Sequence, residues 1–79
     1  ELYKLGSSDA ALVEFEKAYQ LSQKYQILYN IGLVYRDMKD FVGAVRTFDR
    51  YLSEGGNDID SKKRAEVQAD ALAGARHAG

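Results

Sequence analysis

The chain has 79 residues and a mass of 8.8 kDa, which is enough for one small domain. Its 46% hydrophobic and 29% charged residues include no apolar run long enough to cross a bilayer, which excludes a membrane-embedded protein. Without cysteine it has neither a disulfide scaffold nor a thiolate metal site, and 11 basic against 12 acidic side chains lack the positive field that nucleic-acid binding requires.

The first residue is Glu1, and no charged-then-apolar leader follows it. We therefore expect the 79 residues to form a single domain that is part of a longer chain. The sequence does not indicate a compartment, because a chain without thiols tolerates any redox environment.

The first predicted helix covers residues 9–22, and Ser7 and Ser8 are available as its N-caps. Its apolar residues recur at steps of three and four, which is the period of an amphipathic helix. They are Leu12, Phe15, Ala18, Tyr19 and Leu21.

Three further helices are predicted, over residues 25–38, from the capping residue Asp40 to the glycine turn at residues 55–57, and over residues 61–76. The side chains expected to face the core are Ile27, Leu28, Ile31, Val34, Tyr35 and Met38 in the second helix, and Phe41, Ala44, Val45, Phe48, Tyr51 and Leu52 in the third. No segment alternates apolar and polar residues as a strand does, so the predicted fold class is all-α.

The first and third helices repeat each other at an offset of 33 residues, since Ala11 and Phe15 correspond to Ala44 and Phe48. The motif Leu-x-x-Ile-Gly-x-x-Tyr at residues 28–35 precedes the second pair. This pattern resembles a tetratricopeptide repeat over residues 1–56, and most specifically over residues 28–48. It departs from the family where Leu28 replaces tryptophan, Lys39 and Tyr51 replace small residues, and Gly56 replaces proline.

The resemblance implies antiparallel helix-turn-helix repeats: a partial first repeat at residues 1–22, a second at 25–56, and a terminal solvating helix at 60–76. Gly32 suits a close helix approach, alanines suit helix crossings, and Tyr35 and Phe48 fill the space between helices. The predicted repeat-packing residues are Ala11, Phe15, Ala18, Leu28, Ile31, Gly32, Tyr35, Ala44 and Phe48.

Catalytic groups are scarce in this sequence. The only histidine, His77, lies two residues from the end and is expected to be a surface residue without a metal or proton-transfer role. Lys62, Lys63 and Arg64 open the last helix, which indicates either an anion site at its N-terminus or a solvated charge run. We expect no enzyme activity, no cofactor and no metal.

The second helix has a face of mixed chemistry, on the side that lines the groove of tetratricopeptide arrays. We expect Tyr29, Asn30, Leu33 and Arg36 to contact a peptide or protein partner there, with most of the binding energy from Tyr29 and Arg36. The resemblance also implies a clamp for a peptide's terminal carboxylate, to which Asn30 and Arg64 would correspond.

Self-association is the alternative function. If the first repeat lacks its first helix, Leu12, Phe15 and Tyr19 would face water, and a second copy would cover them. The last helix, with Ala65, Ala69, Leu72 and Ala73, is a candidate for exchange in a homodimer. A small-molecule sensor that uses the same groove is a third, weaker alternative.

Overall fold

The computed structural model describes residues 7–78, and every side chain in that range except those at positions 7, 75, 77 and 78. Expectations for residues 1–5 and for the His77 side chain lie outside the described residues. The elements are α1 (Ser7–Ser22), α2 (Gln26–Asp37), α3 (Phe41–Gly55), a 3₁₀ turn (Gly56–Asp58) and α4 (Ser61–Ala78). Residues 7–78 contain no strand, so the all-α prediction is confirmed for this range.

Two details of the first predicted helix are wrong. Ser7 and Ser8 both lie within α1, so neither is the residue before the helix. The apolar period starts at Leu12 and carries no information about the polar residues ahead of it. Leu21, expected on the packed side, is 89% exposed, because it lies nine residues after Leu12 and therefore on the opposite side of α1.

Local signals set the other boundaries. The Asp40 carboxylate accepts a hydrogen bond of 3.0 Å from the Gly43 N–H and caps α3, and Asp60 accepts one of 2.8 Å from the Lys63 N–H and caps α4. Lys39 ends the turn after α2 with φ of 65°. This left-handed conformation is strained for a residue with a Cβ.

The helices pack in chain order, α1 against α2, α2 against α3 and α3 against α4. The core therefore lies around α3, which has two helical neighbours and the following turn. The residues of the buried core cluster are Leu28, Ile31, Ala44, Phe48, Tyr51, Ile59 and Val67.

α2 and α3 cross closely at Gly32. A Cβ on Gly32 would lie 2.5 Å from Cε1 of Phe48, whose ring is fully buried. Ala44 and Leu28 are each 1% exposed beside it. The one buried polar side chain among the described residues, Thr47, donates a hydrogen bond of 2.8 Å to the Gly43 carbonyl, so its burial carries little cost.

The outer helices are less deeply packed than α2 and α3. Ala11, Phe15 and Ala18 of α1 are half-buried, although their sequence counterparts at 44, 48 and 51 are buried. In α4 the buried positions are Val67 and Gly74. The terminal helix predicted at 60–76 is thus packed on α3 of its own chain.

We expect Gly32→Leu and Ala44→Leu to destabilise the protein by about 1–3 kcal/mol or more, because both overpack a filled crossing. Chemical denaturation followed by circular dichroism measures this. Ala69→Leu is the matched control, since Ala69 is exposed on α4. Unfolding midpoints that are unchanged for Gly32→Leu and Ala44→Leu would contradict the close α2–α3 approach.

We expect Lys39→Gly to stabilise the protein by about 0.5–1 kcal/mol, because glycine removes the Cβ strain of a φ of 65°. Asp37→Gly, two residues earlier at the end of α2, should instead cost about 1 kcal/mol. Denaturation midpoints of the two variants give the comparison, and a loss of stability in both would show that residue 39 is not strained.

Candidate functional site

The four predicted partner-binding residues of α2 lie on a surface where side chains of α2 and α4 contact each other. Two side-chain contacts join these helices: the Lys63 Nζ lies 3.8 Å from the Tyr29 ring centroid, and the Arg36 Nη1 lies 3.6 Å from the Asp70 Oδ1. We define the α2–α4 face by the residues along these contacts. They are Tyr29, Asn30, Leu33 and Arg36 of α2, with Lys63 and Asp70 of α4.

Tyr29 belongs to the core as much as to this face. Its ring centroid is 5.9 Å from that of Phe48 and 5.6 Å from that of Tyr51, in tilted arrangements typical of aromatic clusters. The Lys63 ammonium lies over the same ring, a cation–π contact. Leu33 is likewise half-buried and packs against the core cluster. Both residues therefore anchor α2, and a partner can reach only their outer edges.

Asn30 and Arg36 are the more accessible groups of the face. Asn30 is exposed, and the side chain of Arg36 is 45% exposed. The ion pair between Arg36 and Asp70 is solvated, and such pairs contribute about 0–1 kcal/mol. A partner's carboxylate can therefore take the place of Asp70 on the guanidinium at little cost.

Arg64 does not join Asn30 as the carboxylate clamp would require. Its guanidinium donates a hydrogen bond to the Gly56 carbonyl, and the side chain is half-buried against the turn before α4. This contact ties the start of α4 to the end of α3. One guanidinium nitrogen of Arg64 is therefore engaged within the chain, at the turn before α4.

The N-terminus of α4 already has a negative group. Asp60 caps it, so an incoming anion would have to displace or approach a carboxylate. Lys63 is directed to Tyr29 and lies 4.0 Å from Glu66. The basic residues 62–64 therefore fit the alternative of a solvated charge run on a capped helix, and they do not fit the alternative of an anion site.

A polar cluster joins α1 to α3. The Tyr19 hydroxyl donates a hydrogen bond to Glu54, and Arg50 donates bonds of 3.2 Å to both the Tyr19 oxygen and the Glu54 carboxylate. The hydrogen bond to Glu54 raises the pKa of Tyr19. The cluster borders a cleft of about 320 Å³ between α1, α2 and α3. The lining residues are Glu16, Tyr19, Gln20, Leu28, Ile31, Tyr35, Thr47 and Arg50.

Burial raises the pKa of two further tyrosines. For Tyr51 desolvation is the main cause, and for Tyr35 desolvation is followed by the negative charges of Glu16 and Asp40. A phenol whose pKa rises above its ordinary value of 10.0 stays protonated at neutral pH. Both phenols are therefore neutral near neutral pH.

Residues 7–78 hold no group of three or more histidine, aspartate or glutamate side chains that could bind a metal ion. In the same range no helix combines the length and the apolar character needed to cross a membrane.

Lys63 and Asp70 were missed as members of this face by sequence reasoning. They are seven residues apart, and a spacing of seven places them on one side of α4. That spacing is the available signal, but only the packing of α4 shows that this side meets α2.

Comparison with known proteins gave no match: no protein-family model, no curated protein and no solved structure. The tetratricopeptide resemblance therefore stays a prediction.

We expect stability to fall as the pH rises above about 10, in part because of Tyr51. Its pKa is raised in the folded state, so its contribution is fully present below the unfolded value of 10.0 and is lost as the pH passes through the folded value. The Tyr51→Phe variant should lose less stability than the wild type over that range. The difference between the two is at most about 1.4 kcal/mol for each pH unit. Urea denaturation at several pH values measures this, and parallel curves for both proteins would exclude the effect.

Proposed function

We infer that this chain is a non-catalytic interaction module of tetratricopeptide type, which binds a peptide or protein segment along the α2–α4 face. The observation that carries this proposal is the lateral pairing of α2 and α4, through Tyr29 with Lys63 and Arg36 with Asp70. Asn30 and Leu33 lie between these two contacts along α2. The face thus offers an amide, an aliphatic edge and two cations within one surface.

Three features support the repeat type. Successive helices pack in chain order, as in a linear array. The α2–α3 crossing uses Gly32 and Phe48, which occupy the small and aromatic positions of the repeat pattern. The third is that α4 meets α2 as well as α3, as the first helix of a following repeat does.

The ligand suited to this face is an extended segment with a carboxylate. The Asn30 amide can bond to a peptide backbone as donor and acceptor, and the Leu33 edge can take an apolar side chain. The carboxylate of the peptide would replace Asp70 as the partner of Arg36. The Arg36 guanidinium stays charged and can bind both oxygens of that carboxylate. Tyr29, anchored in the aromatic cluster, holds this surface in place and contributes less binding energy than Arg36.

We expect peptides selected from a random displayed library on the wild-type chain to bind the double variant Asn30→Ala/Arg36→Ala about tenfold or more weakly. Isothermal titration calorimetry measures the affinities. Tyr29→Ala is unsuitable, because its ring packs on Phe48 and Tyr51 and its loss would disturb the fold.

The matched control is Asn57→Ala/Arg46→Ala, which removes one amide and one guanidinium from exposed positions away from this face. Circular dichroism melts establish that both double variants are folded. If the two double variants bind the peptide equally weakly, or if neither binds it more weakly than the wild type, the peptide binds elsewhere and the proposed binding face is contradicted.

A further inference from the structure

A groove runs along a flank of α4 that does not contact α2, and no described residue fills it. It has a volume of about 480 Å³ between α3 and α4, and at Gln68 it meets a second cleft of about 510 Å³ at the start of α4. We call the two together the α3–α4 groove. It is lined by Val45, Asp49 and Leu52 of α3, by Gly56, Asn57, Ile59 and Asp60 of the turn, and by Ser61, Arg64, Ala65, Gln68, Ala71 and Leu72 of α4.

The 33-residue offset relates this groove to the cleft between α1 and α2. Glu16, Tyr19 and Tyr35 line the earlier cleft. The residues 33 positions later, Asp49, Leu52 and Gln68, line the later one. The earlier position is covered by α3, whose Thr47 and Arg50 close the cleft. At the later position no described helix takes that place.

The helix that would fit the groove is one with the pattern of α3, and α1 has that pattern. Phe15 corresponds to Phe48, which is fully buried on Gly32. Phe15 itself is only half-buried. The groove residue that corresponds to Gly32 is Ala65, which is exposed and is the smallest side chain after glycine. The chain therefore contains an aromatic residue, Phe15, and a small residue, Ala65, that correspond to the two partners of the Phe48–Gly32 contact.

Charge is matched at one position of this pairing. The groove is lined by one basic residue, Arg64, and by two acidic residues, Asp49 and Asp60. One pair is specific, because Glu14 corresponds to Thr47 and Arg64 to Ile31. Thr47 and Ile31 line the same cleft within the chain. Glu14 of one copy would thus face Arg64 of another.

We propose that a second copy of this chain docks its α1 into the α3–α4 groove, with Phe15 against Ala65 and Glu14 facing Arg64. This contact is head-to-tail, since each copy uses α1 on one side and the groove on the other, and it does not close at two chains. A Cβ at the Gly32 position would crowd the Phe48 ring, so Phe15 must lie farther from Ala65. The association is therefore weaker than the internal crossing and depends on concentration. It involves a different flank of α4 from the proposed peptide site.

Analytical ultracentrifugation of the 79-residue chain, from about 10 μM to about 1 mM, tests the proposal. We expect the average mass to rise past that of two chains. Ala65→Glu, which adds bulk and an acid opposite the acidic α1, should raise the association midpoint by about tenfold or more. The matched control is Ala73→Glu, on another exposed flank of α4, and it should leave the midpoint unchanged.

Charge reversal provides the second measurement. Glu14→Arg and Arg64→Glu should each weaken association, and the double reversal should restore it to within about threefold of the wild type. Restored association in the double variant also distinguishes a lost interface contact from a damaged fold. This matters because Arg64→Glu removes the hydrogen bond to the Gly56 carbonyl and can lower stability by itself. A wild type that stays monomeric, a mass that stops at two chains, or equal effects of Ala65→Glu and Ala73→Glu would each overturn the proposal.

Discussion

The contact between the Phe48 ring and the backbone of Gly32 is the constraint on which the other helix positions depend. Because residue 32 has no side chain, α3 can approach α2 closely enough for Phe48 to be fully buried. Leu28, Ile31 and Ala44 are buried around this crossing. With α3 held there, one of its flanks receives α4, and α4 comes near enough to α2 for side chains to meet.

Stability is unevenly distributed along the chain as a result. Of the eight buried apolar side chains among the described residues, α2 and α3 supply six, whereas no described side chain of α1 is buried. α1 is held by half-buried apolar groups and by the polar cluster of Tyr19, Arg50 and Glu54, most of which is exposed. Exposed ion pairs contribute little. The outer helix is therefore expected to open at lower free energy than the central pair.

The flanks of α4 differ in what they contact. Val67 and Gly74 attach it to α3, Lys63 and Asp70 join it to α2, and the Ala65 side borders an open groove. The first contact is structural. The second forms the face proposed for a peptide, and the third the face proposed for another copy. Because the two faces share no residue, the two kinds of binding can be separated by substitution.

The sequence by itself determined the helices and the crossing of α2 and α3 at Gly32. Asp40 as a cap, the glycine turn after α3, the helical period and the pairing of a glycine with an aromatic ring are local or short-range signals, and the structure has all of these features. The tertiary structure alone decided which flank of each outer helix is covered. Tyr29 joins the core and Arg64 bonds to the backbone, because these outcomes depend on where a neighbouring element crosses. Periodicity gives the apolar side of a helix, but it does not contain the position of its neighbour.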